Sequence, residues 1–532
     1  MTDNVFKVVG PPGCGKTTYV SRQTSLAANK HGPGEVMVAS LTRAAAKEAA
    51  GRILPDNQHP DEESVNVGTL HKILFHEFGK PNIVGAKHIT EWNEEYPSMR
   101  ISPNAVAADD VGRSVFVKER GDKFLADTDL LRSKMVPVEE WTAVQQRFHD
   151  YWTDFKENMD VVDFTDLIER GIRELFFAPR QPKVIFIDEA QDLSTAELHL
   201  VRKWSEHADK TIIVGDGDQA LYGWRGSDPK ILADPIWKVL DQSYRVPAKP
   251  HAFAMKVIQR CQSRPDVKYE PTAGEGVFDT WDLTIKSPEI IARAENSIDE
   301  GYRVMVLASC DYMLTGLIKQ LRAEGIPYGN RFSTRWNPLR PGHGVSSIDR
   351  IRSLIVWNEH FAPNSYRIPT PEEVRAFAPL LSSGPVKRGM KKVLQELSDK
   401  NEPHDVKLTL ELALEPSALE ALRNGTFDQL EEILMPAARS NMKYPLQIVR
   451  NYGLRALFES PMLDVGTIHS VKGGEAEHVI LAPDLSNAGW QTYQERGWNG
   501  IDSVRRLFYV GATRTRHRLT MLSPFGPRRF EP

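Results

Sequence analysis

The chain has 532 residues, room for about three or four domains with a buried core that needs neither disulfides nor metals. Lys and Arg number 67 against 71 Asp and Glu, a formal net charge of −4. That excludes a uniformly basic nucleic-acid binder, though not a basic groove on a near-neutral body. The three cysteines, Cys14, Cys261 and Cys310, are scattered without CxxC or Cys/His spacing, which speaks against a disulfide scaffold or a zinc ribbon. The N-terminal MTDNVFKVVG lacks the basic-then-apolar pattern of an export signal. No apolar run approaches the ~18 residues of a membrane helix, so a reduced, cytoplasmic location is expected.

Taken in chain order, residues 5–9 (VFKVV) predict a short strand. Gly10-Pro11-Pro12-Gly13-Cys14-Gly15-Lys16-Thr17 comes next, then Thr18 and a helix-compatible run. This is G-x-x-x-x-G-K-[ST] in a strand–loop–helix setting, a phosphate-binding loop. Side chains would obstruct backbone N–H groups wrapping a phosphate, hence Gly10, Gly13 and Gly15. Lys16 is expected to reach the β- and γ-phosphates of ATP, and Thr17 to hold Mg2+. Cys14 reads as a small loop filler. Further on, Lys183-Val-Ile-Phe-Ile-Asp188-Glu189-Ala-Gln-Asp192 predicts a buried parallel strand ending in two carboxylates. Asp188 is the second expected metal ligand, and Glu189 the group that polarises the attacking water. The competing reading of the pair is a helix cap. The two motifs together indicate a nucleotide hydrolase.

Gly215-Asp216-Gly-Asp218-Gln219-Ala-Leu-Tyr222-Gly223-Trp224-Arg225-Gly226 resembles a segment of the superfamily 1 DNA helicases of the UvrD/Rep/PcrA type. Other motifs of that family appear in order. Ser40-Leu-Thr42-Arg43-Ala-Ala-Ala46, Gly68-Thr69-Leu-His71, Asp163-Phe-Thr-Asp166-Leu167 and Gln242-Ser-Tyr244-Arg245 each resemble one. So do Gly466-Thr467-Ile-His469-Ser-Val-Lys472-Gly-Gly-Glu475 and Arg505-Arg506-Leu-Phe-Tyr-Val-Gly-Ala-Thr513-Arg514.

The resemblance implies an α/β fold of two RecA-like P-loop NTPase domains, parallel sheets flanked by helices, each interrupted by a mainly helical insertion. The expected parse is 1–75 with 155–237 for the first core domain, with 76–154 inserted. The second is 238–328 with 455–532, with 329–454 inserted. Gln219 is expected to sense the γ-phosphate. Arg245 and Arg514 are expected to reach that phosphate from the second core domain, coupling hydrolysis to cleft closure. The resemblance places Tyr244 on the adenine, Glu475 on the nucleotide sugar and Trp224 on a DNA base. It puts Thr42, Arg43, Thr69, His71, Arg225, Thr467 and His469 along the sugar–phosphate track. Trp224 has the competing reading of a core tryptophan, and His71 and His469 that of buried core histidines. Arg505 and Arg506 also read as partners for core acids such as Asp188 or Asp218. The stretch 505–532 holds seven arginines against one acid, Glu531, so charge is unevenly distributed.

The implied activity is an ATP-dependent, Mg2+-requiring DNA helicase or single-strand translocase moving 3′→5′. Its substrates would be single-stranded and tailed duplex DNA, and it would act as a monomer alongside unidentified replication or repair proteins. Alternatives are a DNA-stimulated ATPase that remodels protein–DNA complexes, a 5′→3′ helicase and a non-hydrolysing ATP switch. RNA is the weaker substrate. The family's adenine-contacting glutamine segment has no counterpart before Gly10. Gly329-Asn-Arg-Phe-Ser stands where the family has G-G-x-x-F-F, and the long partner-binding tail of some relatives is not found. A compact phage-type protein acting in host cytoplasm would suit these departures.

Overall fold

The computed structural model describes residues 4–40, 66–103, 105, 118–227, 232, 235–262, 264, 266–331, 347–362, 366–495 and 497–531. Six strands form the first sheet: β1 (Val5–Val9), β2 (Val36–Ser40), β3 (Asn66–Gly68), β4 (Val184–Asp188), β5 (Lys210–Gly215) and β6 (Lys238–Val239). Their order is β3-β2-β4-β5-β1-β6, with parallel pairing throughout. Strands β2 and β4 are buried along their whole length, as a sheet covered on both faces requires. The order places the ends of β1, β4 and β5 side by side, where ligands bind in such sheets.

Helices α1 (Lys16–His31), α2 (Leu70–Glu77), α6 (Phe164–Glu174), α7 (Thr195–Ser205) and α8 (Ala248–Ile258) accompany this sheet. Between α2 and α6 lies a helical insertion of α3 (Ala86–Glu95), α4 (Arg120–Ser133) and α5 (Ala143–Asn158). It has its own aromatic core of Trp92, Phe148, Trp152 and Phe155, each at most 2% exposed. Aromatic side chains bury ~150–250 Å² each, and Leu125 brings α4 into the same cluster.

The second sheet runs β7 (Val277–Trp281), β11 (Thr515–Leu522), β10 (Ala476–Leu481), β8 (Val304–Ala308) and β9 (Leu463–Thr467) in spatial order. Strand β8 pairs in parallel with β9 and β10. Helices α9 (Glu289–Asp299) and α10 (Thr315–Glu324) flank it. The second insertion is an aliphatic helical assembly: α11 (Ser347–Ile355), α12 (Pro371–Phe377), α13 (Met390–Gln395), α14 (Pro403–Ala413), α15 (Pro416–Asn424), α16 (Phe427–Glu432) and α17 (Pro436–Tyr452). Four of these begin with proline, whose fixed φ and missing N–H cost nothing in a first helical turn. Two helices, α18 (Asn487–Glu495) and α19 (Gly497–Ala512), precede β11.

Packing divides the chain into two compact units. One is Met1–Asp279 with Leu485–Leu519 and Arg528–Pro532; the other is Thr280–Asp484 with Thr520–Pro527. This line differs from the one expected after residue 237, for two physical reasons. Strand β6 completes the first sheet by pairing with β1, Val8 opposite Lys238 and Val9 opposite Val239. Helix α19 packs against α8 and the turn 217–219. Arg245 and Arg514 therefore both lie within the first unit. No described helix is long and apolar enough to cross a membrane.

Candidate nucleotide site and strand-contact segments

The phosphate-binding loop leaves β1 with Gly10 N–H donating to Gly215 O at the end of β5 (3.1 Å). Gly13 (φ 76°) and Gly15 (φ 74°, N-cap of α1) are left-handed, a conformation a side chain would strain. A methyl on Gly13 would stand 2.5 Å from Arg245 Cβ, and one on Gly10 2.8 Å from Lys16 Cγ. Lys16 is 8% exposed, and its ammonium donates to Gly10 O at 2.6 Å. Thr17 is half-buried at the start of α1 and Thr18 exposed. Burial pushes the Cys14 thiol up to about 12, so it is an inert filler at neutral pH.

The carboxylates sit at the strand ends. Asp188, 3% exposed, closes β4 beside Ser40 and accepts the Glu189 N–H at 2.9 Å. Glu189 is a non-glycine residue in the left-handed region (φ 55°), a strain of roughly 1–3 kcal/mol that the neighbouring bonds must hold. Gln191 does so, donating to Glu189 Oε2 (2.5 Å) while its carbonyl takes the Asp216 N–H (2.9 Å). Burial raises the Asp216 carboxyl, and the Lys16 ammonium opposes that shift.

Gln219 is gripped at both ends of its amide. Its Nε2 donates to Asp216 Oδ2 and its Oε1 accepts from Arg514 Nη2, each at 2.7 Å. Arg514 is 1% exposed and also donates from Nε to Val510 O (2.9 Å). A buried guanidinium without such partners would cost several kcal/mol, so its position is tightly specified.

Residues 242–245 close over the phosphate loop. Ser243 Oγ and Tyr269 OH both donate to Pro12 O (3.0 Å), and Tyr244 N–H donates to Gly13 O (2.9 Å). The Tyr244 ring is 71% exposed and available to stack, and Arg245 is half-buried beside Gly13. The loop glycines, the lysine at its mouth, the Thr17 hydroxyl and the Asp188 carboxylate form a donor set that suits a nucleoside triphosphate with a divalent cation.

The residues expected along a DNA strand fall in both units. Thr42 and Arg43 lie outside the described residues, as does the Trp224 side chain. The backbone of Gly223–Arg225 forms a short turn ended by left-handed Gly226 (φ 87°), with Arg225 half-buried. Thr69 caps α2 by accepting the Lys72 N–H (3.1 Å). His71 is 8% exposed, edge-on to Phe164, with Nδ1 3.8 Å from Glu197.

In the second unit, Thr467 ends β9 and its hydroxyl accepts the Ser470 N–H (3.2 Å). Burial, helped by Lys472, lowers the His469 imidazole to about 4, leaving it neutral at physiological pH. Glu475 is half-buried, and its carbonyl accepts from Arg331 (3.2 Å).

Some partners escaped sequence reasoning. Arg264 Nε donates to Asp218 Oδ2 at 2.6 Å, a partner the sequence did not suggest, while Arg506 acts on the same carboxylate through its charge, as was expected of one of Arg505 and Arg506. Arg505 instead binds Arg260 O (2.6 Å) and lies 3.5 Å from Asp502. Asn330 and Arg331, where the family pattern departs, fasten the motif around Gly466. Asn330 donates to Ser470 Oγ (3.0 Å) and Arg331 pairs with buried Asp464 (3.0 Å).

A family model described as an AAA domain matches residues 1–225. The chain is 23% identical to the ATP-dependent DNA helicase PcrA of Bacillus subtilis over 61% of its own length and 44% of that protein's, less than half of the relative. It is 20% identical to the probable DNA helicase II homolog of Rickettsia conorii, over 97% of this chain and 90% of that one. It is 21% identical to the ATP-dependent DNA helicase Rep of Buchnera aphidicola, over 96% and 90%.

Proposed function

Starting from the UvrD/Rep/PcrA-type superfamily 1 helicases, the family to which the chain belongs, we propose that it is an ATP-hydrolysing motor on single-stranded DNA that moves 3′→5′ and opens tailed duplexes. The observation that carries this is the continuity of 216–226. Gln219, fixed between Asp216 and Arg514, is followed within a few residues by the Trp224 turn. A change felt at a γ-phosphate thus has a short covalent path to a base-stacking position.

A bound divalent cation, proposed as magnesium, would supply charge neutralisation at the triphosphate. Thr17 and Asp188 would hold it. Lys16 and the loop N–H groups grip the phosphates, and Glu189 orients the attacking water and takes its proton. Arg514 and Arg245 stabilise the charge that develops on the transferred group, and Tyr244 covers the base. Glu475 contacts the sugar. Arg225, Thr42, Arg43, Thr69, His71, Thr467 and His469 contribute to the strand track. The proposed motor lobes are 1–75 with 155–237 and 238–328 with 455–532, a functional parse that cuts across the packing units because Arg245 and Arg514 pack within the first of them; the lobes would open and close as a monomer.

A strand-displacement assay on 3′- and 5′-tailed duplexes tests this reading. ATP-dependent opening of the 3′-tailed substrate alone supports it; opening of the 5′-tailed substrate alone reverses the polarity. Streptavidin displacement without unwinding would favour a remodelling ATPase, a reading supported by Asn330 and Arg331 standing in place of the family's glycine-rich pattern.

A further inference from the structure

The motif Asp163-Phe-Thr-Asp166-Leu167 has no part in the motor cycle proposed above, yet it carries a dense cluster of ion pairs. Asp163 and Asp166 cap α6 reciprocally, each carboxylate accepting the other's backbone N–H (2.8 and 2.7 Å). A capping box needs no more than that. Their remaining oxygens turn outward to two insertion helices. Lys156 of α5 donates to Asp163 (2.7 Å) and Asp166 (2.6 Å), and Trp152 Nε1 reaches Asp163 at 3.1 Å.

Arg132 of α4 makes the larger contribution. It donates to Asp163 (3.0 Å) and Asp166 (2.6 Å) and takes Glu169 bidentately (2.9 and 2.7 Å). Asp129 stands a further 3.5 Å away. At 6% exposure for Arg132 and 4% for Lys156, both cations are withdrawn from water and depend on these carboxylates. The fork of Arg132 binds two acids of α6 in one plane, fixing direction as well as distance.

The two residues after Arg132 link the cluster to the strand-contact turn. Ser133 and Lys134 abut the turn beyond Gln219: a methyl on Gly226 would lie 3.2 Å from Ser133 Cβ and 3.3 Å from Lys134 Cγ. Tyr222, at the start of that turn, is fully buried. The last turn of α4 thus leans on 223–226 from one side, and the Arg132 cluster fixes how far it leans.

We propose that Arg132 is a positioning residue for strand engagement: held by Asp163, Asp166 and Glu169, it seats the end of α4 against the 223–226 turn and thereby sets where that turn meets the DNA strand. The inference rests on the single-strand motor reading. Arg132 is assigned no contact with nucleotide or strand. Its loss acts through the turn and changes strand affinity while leaving the phosphate site intact.

The test is steady-state ATP turnover of the full chain against an oligo(dT) titration for wild type, Arg132→Met, Arg132→Lys and Glu169→Gln. Arg132→Met should keep strand-free turnover within about twofold of wild type and raise half-saturating oligonucleotide about tenfold, the scale of one stacked base. Arg132→Lys, retaining charge without the fork, should recover part of that loss. Glu169→Gln removes one half-exposed arm and should raise half-saturation about twofold, which keeps the test decisive if Arg132→Met does not fold. Strand-free and strand-stimulated rates falling in step at unchanged half-saturation would reduce the cluster to a purely structural role and overturn the inference, as would no change in any variant. A wild type that ignores oligo(dT) would fail differently: the motor reading itself would fall, and the inference with it.

Discussion

At one end of the segment 216–226, Asp216, Asp218 and Gln219 are each at most 5% exposed and bonded into the core through Arg514 and Arg264. At the other end, Gly223 and left-handed Gly226 frame a short turn supported by the last residues of an insertion helix. The phosphate end is held by short charge-assisted bonds within the core, the strand end by packing against an appended element. A sensor of one phosphate oxygen needs fixed geometry, whereas a contact that must release and regrip a strand needs a support that can yield. On the proposed motor reading, the coupling between them runs through the covalent chain itself.

Variants at the phosphate end should give the largest losses and leave strand binding in place. Lys16→Ala should lower ATP turnover about 10³-fold, the cost of removing a main electrostatic contact to the transferred group. Near-normal turnover would dismiss the loop assignment. Arg514→Ala should cost about 10²-fold in kcat, since it removes both the transition-state charge and the bond that orients Gln219; a change in KM alone would move Arg514 out of the reaction. Tyr244→Ala should raise the KM for ATP about tenfold with little change in kcat, the scale of one aromatic–base stack. An unaltered KM would mean that its 71% exposed ring faces no base.

The smallest effect concerns the second unit. The His469 imidazole is lowered from an ordinary 6.5 to about 4, so between those values the unfolded chain binds the extra proton. Its contribution to stability is complete above about pH 6.5 and is lost as pH falls towards 4. Denaturant midpoints at pH 5 and pH 7 should therefore differ less for His469→Gln than for wild type. Equal differences would place the imidazole in water.

Much of the core was legible because its signals are local. The strand at 5–9, the helix from Lys16 and the apolar run ending at Asp188 combine short-range periodicity with glycine or carboxylate punctuation, and they fold where that pattern predicts. Choices of partner across long stretches of chain stayed hidden. Nothing in the spacing says that Arg264 meets Asp218, that Tyr269 closes on Pro12, or that Arg132 serves a motif some thirty residues away. The sheet to which residues 238–239 belong was hidden for the same reason. A two-residue strand such as β6 carries almost no periodic signal, and only its pairing with β1 reveals which sheet it joins.

The central claim, that phosphate chemistry and strand contact share the segment 216–226, is tested most directly by ATP turnover of wild type and Trp224→Ala across an oligo(dT) titration. The account predicts saturable stimulation at least about tenfold in wild type, and for the variant an intact strand-free rate with that stimulation largely lost, as removal of a stacking platform worth ~1–3 kcal/mol requires. A wild-type rate indifferent to the strand, or a variant stimulated as strongly and at the same oligonucleotide concentration, would contradict it.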